Sequence, residues 1–550
     1  MLLSNLDLLA TAPKGVARLR ELILTLAVQG KLLPQDSADE PASELLKEIR
    51  AEKDRLIAEG KIRRDKPLEE ISESELPFEL PVGWTWVRNN QLFSLRKGKN
   101  PKILTEIPVG LPYLDIEALD RHQIRRYSED SSAFLCTNQD ILVVCDGSRS
   151  GLILQGKNGI VGSTLAVVDT PEYLQAYVRL LFQAGYRRYN SGMKGAAIPH
   201  LDTKVVMSEV TGLPSLAEQS RIVTRVEELM RLCDALEAKG QLESEQHAQL
   251  VSALLGTLTA SSTPDELRDN WQRVAQHFDL LLDRPAAVDA LEQTILQLAV
   301  RGLLVPQDPT DEPASELLKK IRLEKDRLIA EGKIKRDKPQ PKISKDDQPF
   351  GLPEGWLWSR IAEVCSVVTD GEHATPERCD DQNEVPLVTA KNVRNGVMDY
   401  LRTDYVPQTV AEQCWRRCKP QNDDILMVSV GATLGRLCVL EDAIDMVLVR
   451  SVTVFRPVLV GVNVKFLALH LMSPSTQIEI WNSVRQSAQP CLYLAQSSAL
   501  KIALPPLSEQ SRIVNRVESL RLICSELRQR LATSQSTQAQ LAEALVQELA

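Results

Sequence analysis

One stretch of this chain occurs twice. Asp39–Pro67 reads DEPASELLKEIRAEKDRLIAEGKIRRDKP, and 272 residues later Asp311–Pro339 reads DEPASELLKKIRLEKDRLIAEGKIKRDKP without a gap. The same offset carries Ala27-Val28 onto Ala299-Val300, Pro34-Gln35-Asp36 onto Pro306-Gln307-Asp308, and Gly83-Trp84-x-Trp86 onto Gly355-Trp356-x-Trp358. Shared helix propensity does not produce a gapless match of this length, so the chain is an internal duplication. Later matches are offset further. Asp140-Ile141-Leu142 and Gly147-x-x-x-Gly151 return 284 residues on, as Asp424-Ile425-Leu426 and Gly431-x-x-x-Gly435; Leu213–Val223 returns 291 residues on, as Leu504–Val514. The middle of each half has changed length while its flanks have held. A fixed frame around two diverged inserts presents two different surfaces in one geometry.

This pattern divides the chain into an N-terminal helical frame (1–80), a first insert (81–212), a long helix (213–260), a connector with the second frame (261–351), a second insert (352–503) and a second long helix (504–550). Leu19, Leu22, Ile23, Leu26 and Ala27 recur at helical spacing and predict a helix over Lys14–Gly30. Pro41 is expected at the first position of a second helix, Ala42–Glu59. Within the first insert, Gly83–Val87, Asp140–Cys145 and Ile160–Val168 read as strands and Tyr173–Ala184 as a helix, an α/β or α+β pattern. After Leu213-Pro214, Ile222, Val226, Leu229, Cys233 and Leu236 follow the 4-3-4-3 spacing of a coiled-coil seam. Polar residues from Gly240 to His247 interrupt the seam. The second copy repeats it at Ile513, Val517, Leu520, Cys524 and Leu527, with a polar gap at Ser534 and Gln538. Two matched seams in one chain most simply pair with each other; the alternative is that each packs on its own insert. Ser261–Pro285 has no counterpart and reads as a folded connector.

The search for chemistry returns little. There is no G-x-G-x-x-G fingerprint and no N/D-P-P-Y/F tetrapeptide. Gly151–Asn158 approaches a phosphate-binding loop but lacks its Ser/Thr and is too apolar for a phosphate cradle. Cys414 and Cys418, with Cys379 nearby, lack a fourth ligand at matching spacing for zinc. No catalytic and no metal-ligating residue is assigned. The ten cysteines are scattered through a large chain and read as free thiols. No apolar run approaches a membrane span, and the opening MLLSNLDLLATAPKG has no basic region followed by an apolar core, so a cytoplasmic location is expected. The net charge of −9 resides in the repeated frame, since neither insert is strongly charged. Any contact with nucleic acid must therefore rest on local patches.

The duplicated plan, the L-P-x-G-W-x-W that opens each insert and the L-P-x-L-x-E-Q-x-R-I-V that closes it resemble the specificity subunits of type I restriction-modification enzymes. Within the second insert, Thr369-Asp-Gly-Glu-His-Ala-Thr-Pro376, Asp424–Gly435 and Ala488-Gln489-Pro490 also resemble that family; the first insert lacks the first of these strings and fits through Asp140–Gly151 and Pro199-His200-Leu201. The resemblance implies an α+β fold, internally duplicated, with two α/β target recognition domains separated by long helices that form an antiparallel coiled coil. It implies that each insert reads half of a bipartite target in double-stranded DNA, with the helices as a ruler. It also implies two modification subunits, which would supply methyl transfer from S-adenosylmethionine, and two restriction subunits using ATP and Mg, with no cofactor in this chain. Polar residues on turns are the expected DNA contacts: Arg96, Lys97, Lys99, Arg125, Arg126, Ser148, Arg149, Arg187, Arg188 and Lys194 in the first insert, and Thr369, Asp370, His373, Thr375, Lys391, Asn392, Arg394, Arg436, Arg450 and Gln489 in the second. Arg suits guanine, and Asn or Gln suits adenine; the alternative for each is a solvated surface charge. A coiled-coil scaffold with no DNA role would explain the helices and the acidity, but not two inserts diverging inside a preserved frame.

Overall fold

Each insert is closed by its own two ends. Thr85–Arg88 pairs antiparallel with Val210–Leu213, and Leu357–Arg360 pairs the same way with Lys501–Leu504. The chain thus enters and leaves each insert on neighbouring strands, about 5 Å apart. The computed structural model describes residues 6–59, 70–130, 132–191, 200–261, 263–484 and 489–549. The chain divides into two units, Met1–Glu243 with Gln535–Ala550, and Ser244–Ser534.

The closing motif can be followed letter by letter. Glu218 accepts a hydrogen bond from Trp84 Nε1 at 2.9 Å, and Glu509 from Trp356 Nε1 at 3.0 Å. Both carboxylates are buried, at 4% and 1% exposure. Burial pushes both up from the usual carboxylate range, and the indole bonds oppose that shift. The next residue folds back: Gln219 Nε2 donates to Pro214 O at 3.0 Å, and Gln510 Nε2 to Pro505 O at 3.1 Å. Arg221 grips Asp39 at 3.0 and 2.6 Å, and Arg512 grips Asp311 at 3.3 and 2.6 Å. These guanidinium bonds hold both aspartates below the usual carboxylate range. The first Asp of the repeated stretch is therefore the partner of the Arg in the closing motif.

The frame helices are Gly15–Val28 and Ala42–Ala58 in the first half, with Pro285–Val300 and Ala314–Ala330 in the second. Pro41 and Pro313 sit one residue before their helices rather than at the first helical position, because Ala42 N and Ala314 N donate to Gly83 O and Gly355 O. The long helices span Leu216–Ala260 and Leu507–Leu549 without a break. The polar gap interrupts the seam but not the helix, since helical hydrogen bonding does not need apolar side chains.

Each seam lies in the core of its own unit. In the first unit, Ile222, Val226, Leu229, Cys233 and Leu236 share a core with Leu19, Leu22 and Ile23 of the frame helix and with Ala542, Leu545, Val546 and Leu549 from the end of the second long helix. In the second unit, Ile513, Val517, Leu520, Cys524 and Leu527 share a core with Val288, Leu291 and Ile295 and with Val251, Leu255 and Leu258 from the end of the first. Each seam thus meets the far end of the other long helix, as an antiparallel pair requires, together with a frame helix.

Inside the inserts, the expected strand over Ile160–Val168 is two strands, Gly159–Val161 and Leu165–Asp169, in different sheets. The expected helix runs Gln175–Ser191. The connector folds into Pro264–Gln276 and Phe278–Leu281, whose Val274 and Leu281 join the second core. Among the described residues no helix is long and apolar enough to cross a membrane.

Replacing Trp356 with Phe leaves a buried carboxylate oxygen without its indole donor. The expected loss is about 1–3 kcal/mol, read as a lower urea midpoint, while Trp481→Phe, at a 45% exposed position, leaves the midpoint unchanged.

Candidate nucleic-acid interface

Both inserts carry a four-stranded antiparallel sheet of the same connectivity. In the first the order is Ser94–Lys97, Leu165–Asp169, Ile141–Val144, Ile153–Gln155; in the second it is Cys365–Asp370, Val452–Pro457, Ile425–Val428, Leu437–Val439. Register makes the two superimposable strand by strand. Lys97 pairs with Ala166, which pairs with Val143; Asp370 pairs with Thr453, which pairs with Met427. Lys97 and Asp370 therefore occupy the same place at the same end of equivalent sheets.

The glycine-rich turns lie at this end. Gly147, Gly151, Gly431 and Gly435 all have φ between 90° and 102°, a conformation that side chains with a Cβ rarely adopt, so the repeated G-x-x-x-G is a backbone requirement. The stretch Gly151–Asn158 contains the strand Ile153–Gln155, paired with Ile141–Val143, rather than a phosphate loop. Asp140 and Asp424 are turn-holders as well: Asp140 accepts from Thr137 N at 2.6 Å, and Asp424 from Gln421 N at 2.8 Å. A segment from late in each insert closes on the turn. Leu201 N donates to Cys145 O at 2.8 Å and Leu492 N to Ser429 O at 2.9 Å, beside the bridges Asp146↔His200 and Val430↔Cys491.

With backbones alike, the side chains at the tip differ. In the first insert Asp146 is held by His200 Nδ1 at 2.7 Å and Lys97 Nζ at 3.2 Å. Beside it Ser148 is exposed, and its carbonyl accepts from Asn190 Nδ2 at 2.9 Å. Arg149 pairs with Asp120 and holds that carboxyl below its usual range. In the second insert Asp370 is held by His373 Nε2 at 2.9 Å and by Arg417. Arg450 N bonds Glu372 O at 2.9 Å, which brings Arg450 to the same end. Each tip thus presents an aspartate clasped by an imidazole and a cation. Exposed groups of this kind donate to phosphates and to acceptor edges of bases, and the aspartate can accept.

Not every expected residue gathers here. Arg96 is paired with Asp169 at 2.8 and 2.7 Å and stacked over Phe134. Arg126 lies over Tyr113 of the second sheet and bonds Asp115 at 2.7 Å, and Arg125 bonds Glu117 at 2.8 Å. Arg187 turns to Glu21 of the frame helix at 3.0 Å, and Arg188 to Glu209. Lys99, Thr375 and Gln489 are exposed, and Thr369 ends the strand beside Asp370. Lys391 pairs with Asp404 at 3.0 Å and Arg394 with Asp399 at 3.4 Å. Arg436 lines a groove with Glu292, Gln477 and Arg521, on the frame side. Asn392 is a correction: at 1% exposure its amide bonds Thr389 N, Asp399 O and Thr403 Oγ1, so it holds a loop and has nothing left for a base. Lys194 lies outside the described residues. Asp146, His200 and Arg417 stand at the tips beyond the residues expected as contacts. Asp146 and His200 lie in the stretches Asp140–Gly151 and Pro199-His200-Leu201 that the family resemblance rests on, whereas Arg417 reaches its tip only through tertiary packing. Among the described residues no group of three or more His, Cys, Asp or Glu could hold a metal.

The sequence matches the family described as type I restriction modification DNA specificity domain over residues 81–245 and 353–533. It is similar to the type I restriction enzyme EcoAI specificity subunit of Escherichia coli, 36% identical over 561 residues that cover 96% of this chain and 93% of that one. It is also similar to the EcoEI specificity subunit of Escherichia coli, 35% identical over 559 residues with the same coverage.

Asp146→Ala and Asp370→Ala release the clasped cations and imidazoles. Such partly exposed pairs contribute about 0–1 kcal/mol each, so the urea midpoint should move little. Affinity for duplex DNA, measured by fluorescence anisotropy on the assembled complex, should change about tenfold, the size of one side chain's readout of a base.

Proposed function

The chain belongs to the type I restriction-modification DNA specificity family, and we propose that its two inserts each read one half of a bipartite site in double-stranded DNA through the tips described above. One observation carries this reading. Two sheets with the same strand order, turn glycines and closing bonds end in different polar side chains, the arrangement needed to hold two different sequences in one geometry. The contacts we assign are Lys97, Ser148 and Arg149 with the added Asp146 and His200, and Thr369, Asp370, His373, Arg450 and Gln489 with the added Arg417. Base edges in the major groove supply complementary donors and acceptors.

The subunit itself is non-catalytic. It assembles with other subunits of a restriction-modification complex, and we place two modification subunits on the frame and two restriction subunits beyond them. These partners would bring S-adenosylmethionine, ATP and Mg, and much of the phosphate contact, which fits an acidic frame. A cytoplasmic location goes with this role.

Modularity gives the direct test. The ribbon strands end at Arg88 and Val210, and Asn89 N bonds Glu209 O at 3.0 Å. Exchanging residues 89–209 for the matching segment of a relative should change one half of the methylated sequence and leave the other intact, as read by sequencing modified DNA. A change in both halves would end the idea of independent reading.

The long helices are proposed to set the spacing between half-sites. A helix rises about 1.5 Å per residue, so four residues add about 6 Å, against about 3.4 Å per base pair. Four-residue helical insertions after both Gly240 and Ser534 fall in the polar gaps, where Gly240 has no neighbour within 4 Å of an added Cβ. The paired insertion should lengthen the spacer by one or two base pairs with both half-site sequences kept. A fully active protein with an unchanged spacer would show that the helices only dock partners.

A further inference from the structure

The frame helices Gly15–Val28 and Pro285–Val300 present matching apolar residues, Leu19, Ile23 and Ala27 against Leu291, Ile295 and Ala299, and a duplicated chain can misassemble by docking the frame of one half into the other half. One set of ion pairs is reversed between them. In the first unit the frame helix supplies the cation: Arg20 bonds Asp234 at 2.7 Å and Glu237 at 3.0 Å on the first long helix. In the second unit the frame helix supplies the anions: Arg528 of the second long helix bonds Asp289 and Glu292 at 2.8 Å, and Arg521 bonds Glu292 at 3.0 Å. The swap falls on matched positions. The 272-residue offset of the frame carries Arg20 onto Glu292, and the 291-residue offset of the long helices carries Glu237 onto Arg528. Most of the flanking apolar residues do not discriminate, since Leu19 and Ile23 match Leu291 and Ile295, and Ile222, Val226 and Cys233 match Ile513, Val517 and Cys524, with Leu22 against Thr294 the exception.

We propose that this reversed ion pair is a selectivity device: it makes each frame helix accept only the seam of its own half. Docking the first frame helix on the second seam would set Arg20 against Arg521 and Arg528. The converse would set Asp289 and Glu292 against Asp234 and Glu237. The native pairs are partly exposed and stabilise weakly; like charges across the wrong pairing act against the competitor, which is how specificity is gained without much stability. This inference does not depend on what the inserts bind.

The test separates stability from selectivity. Arg20→Glu sets three acidic groups together and should lower the urea midpoint. Adding Glu237→Arg restores an opposite pair, so the midpoint should return to the wild-type value. The double variant, however, now has the polarity of the second half. On dilution from urea, its recovery as monomer, measured by size exclusion with light scattering, should fall at least twofold, with the loss appearing as exchanged dimers and larger species. Wild-type monomer recovery in the double variant would overturn the proposal. So would a midpoint that the second substitution fails to restore, because the two residues would then not be acting across the helix pair.

Discussion

A buried indole–carboxylate hydrogen bond fixes the rest of the molecule. Trp84 and Glu218 stand 134 residues apart, and Trp356 and Glu509 stand 153 apart. Each bond joins the opening of an insert to the residues just after its end, and the two-stranded ribbon and the Asp–Arg grip run alongside. A carboxylate at such low exposure is unfavourable unless hydrogen-bonded, and the raised proton affinity of Glu218 and Glu509 records that burial. The partners cannot drift without leaving that group unsatisfied. With both ends pinned, the length and content of what lies between are free to change, and the two inserts differ in both.

From this pinning follows the constancy of the tips. The same ends of the two sheets carry the glycine turns, and the late segment closes on each turn by the same backbone bonds. Positive φ at the four turn glycines fixes the backbone, so side chains there can vary without disturbing the strands. The aspartates at the tips are engaged by weak, partly exposed pairs. Such pairs hold the cations in place in the free protein and can be exchanged for phosphate or base contacts at little cost in stability.

The same economy of strong and weak contacts separates the two halves. Apolar seams and Trp–Glu bonds are common to both and confer stability. The reversed charges on Arg20 with Glu237, and on Glu292 with Arg528, are not common to both and confer identity. A duplicated protein needs both kinds, because contacts that are identical in two copies cannot tell the copies apart.

The duplication, the frame helices and the apolar face of each long helix were legible in the sequence, since helical periodicity and repeated motifs are local. The motifs that carried the family resemblance hold the frame: the Trp of each opening string bonds the Glu of the closing string, the Gln folds back on a proline carbonyl, and the Arg grips the first Asp of the repeated stretch. What only the tertiary structure decided was partnership. Each seam shares a core with the far end of the opposite long helix and with a frame helix, and heptad spacing fixes which face is apolar but not what covers it. Asn392, expected at a base, is consumed by a loop, while Asp146, His200 and Arg417 come together at tips from segments far apart in the chain. A residue's type states which bonds it can make; which partner it finds depends on long-range packing, and that information is not in any local pattern.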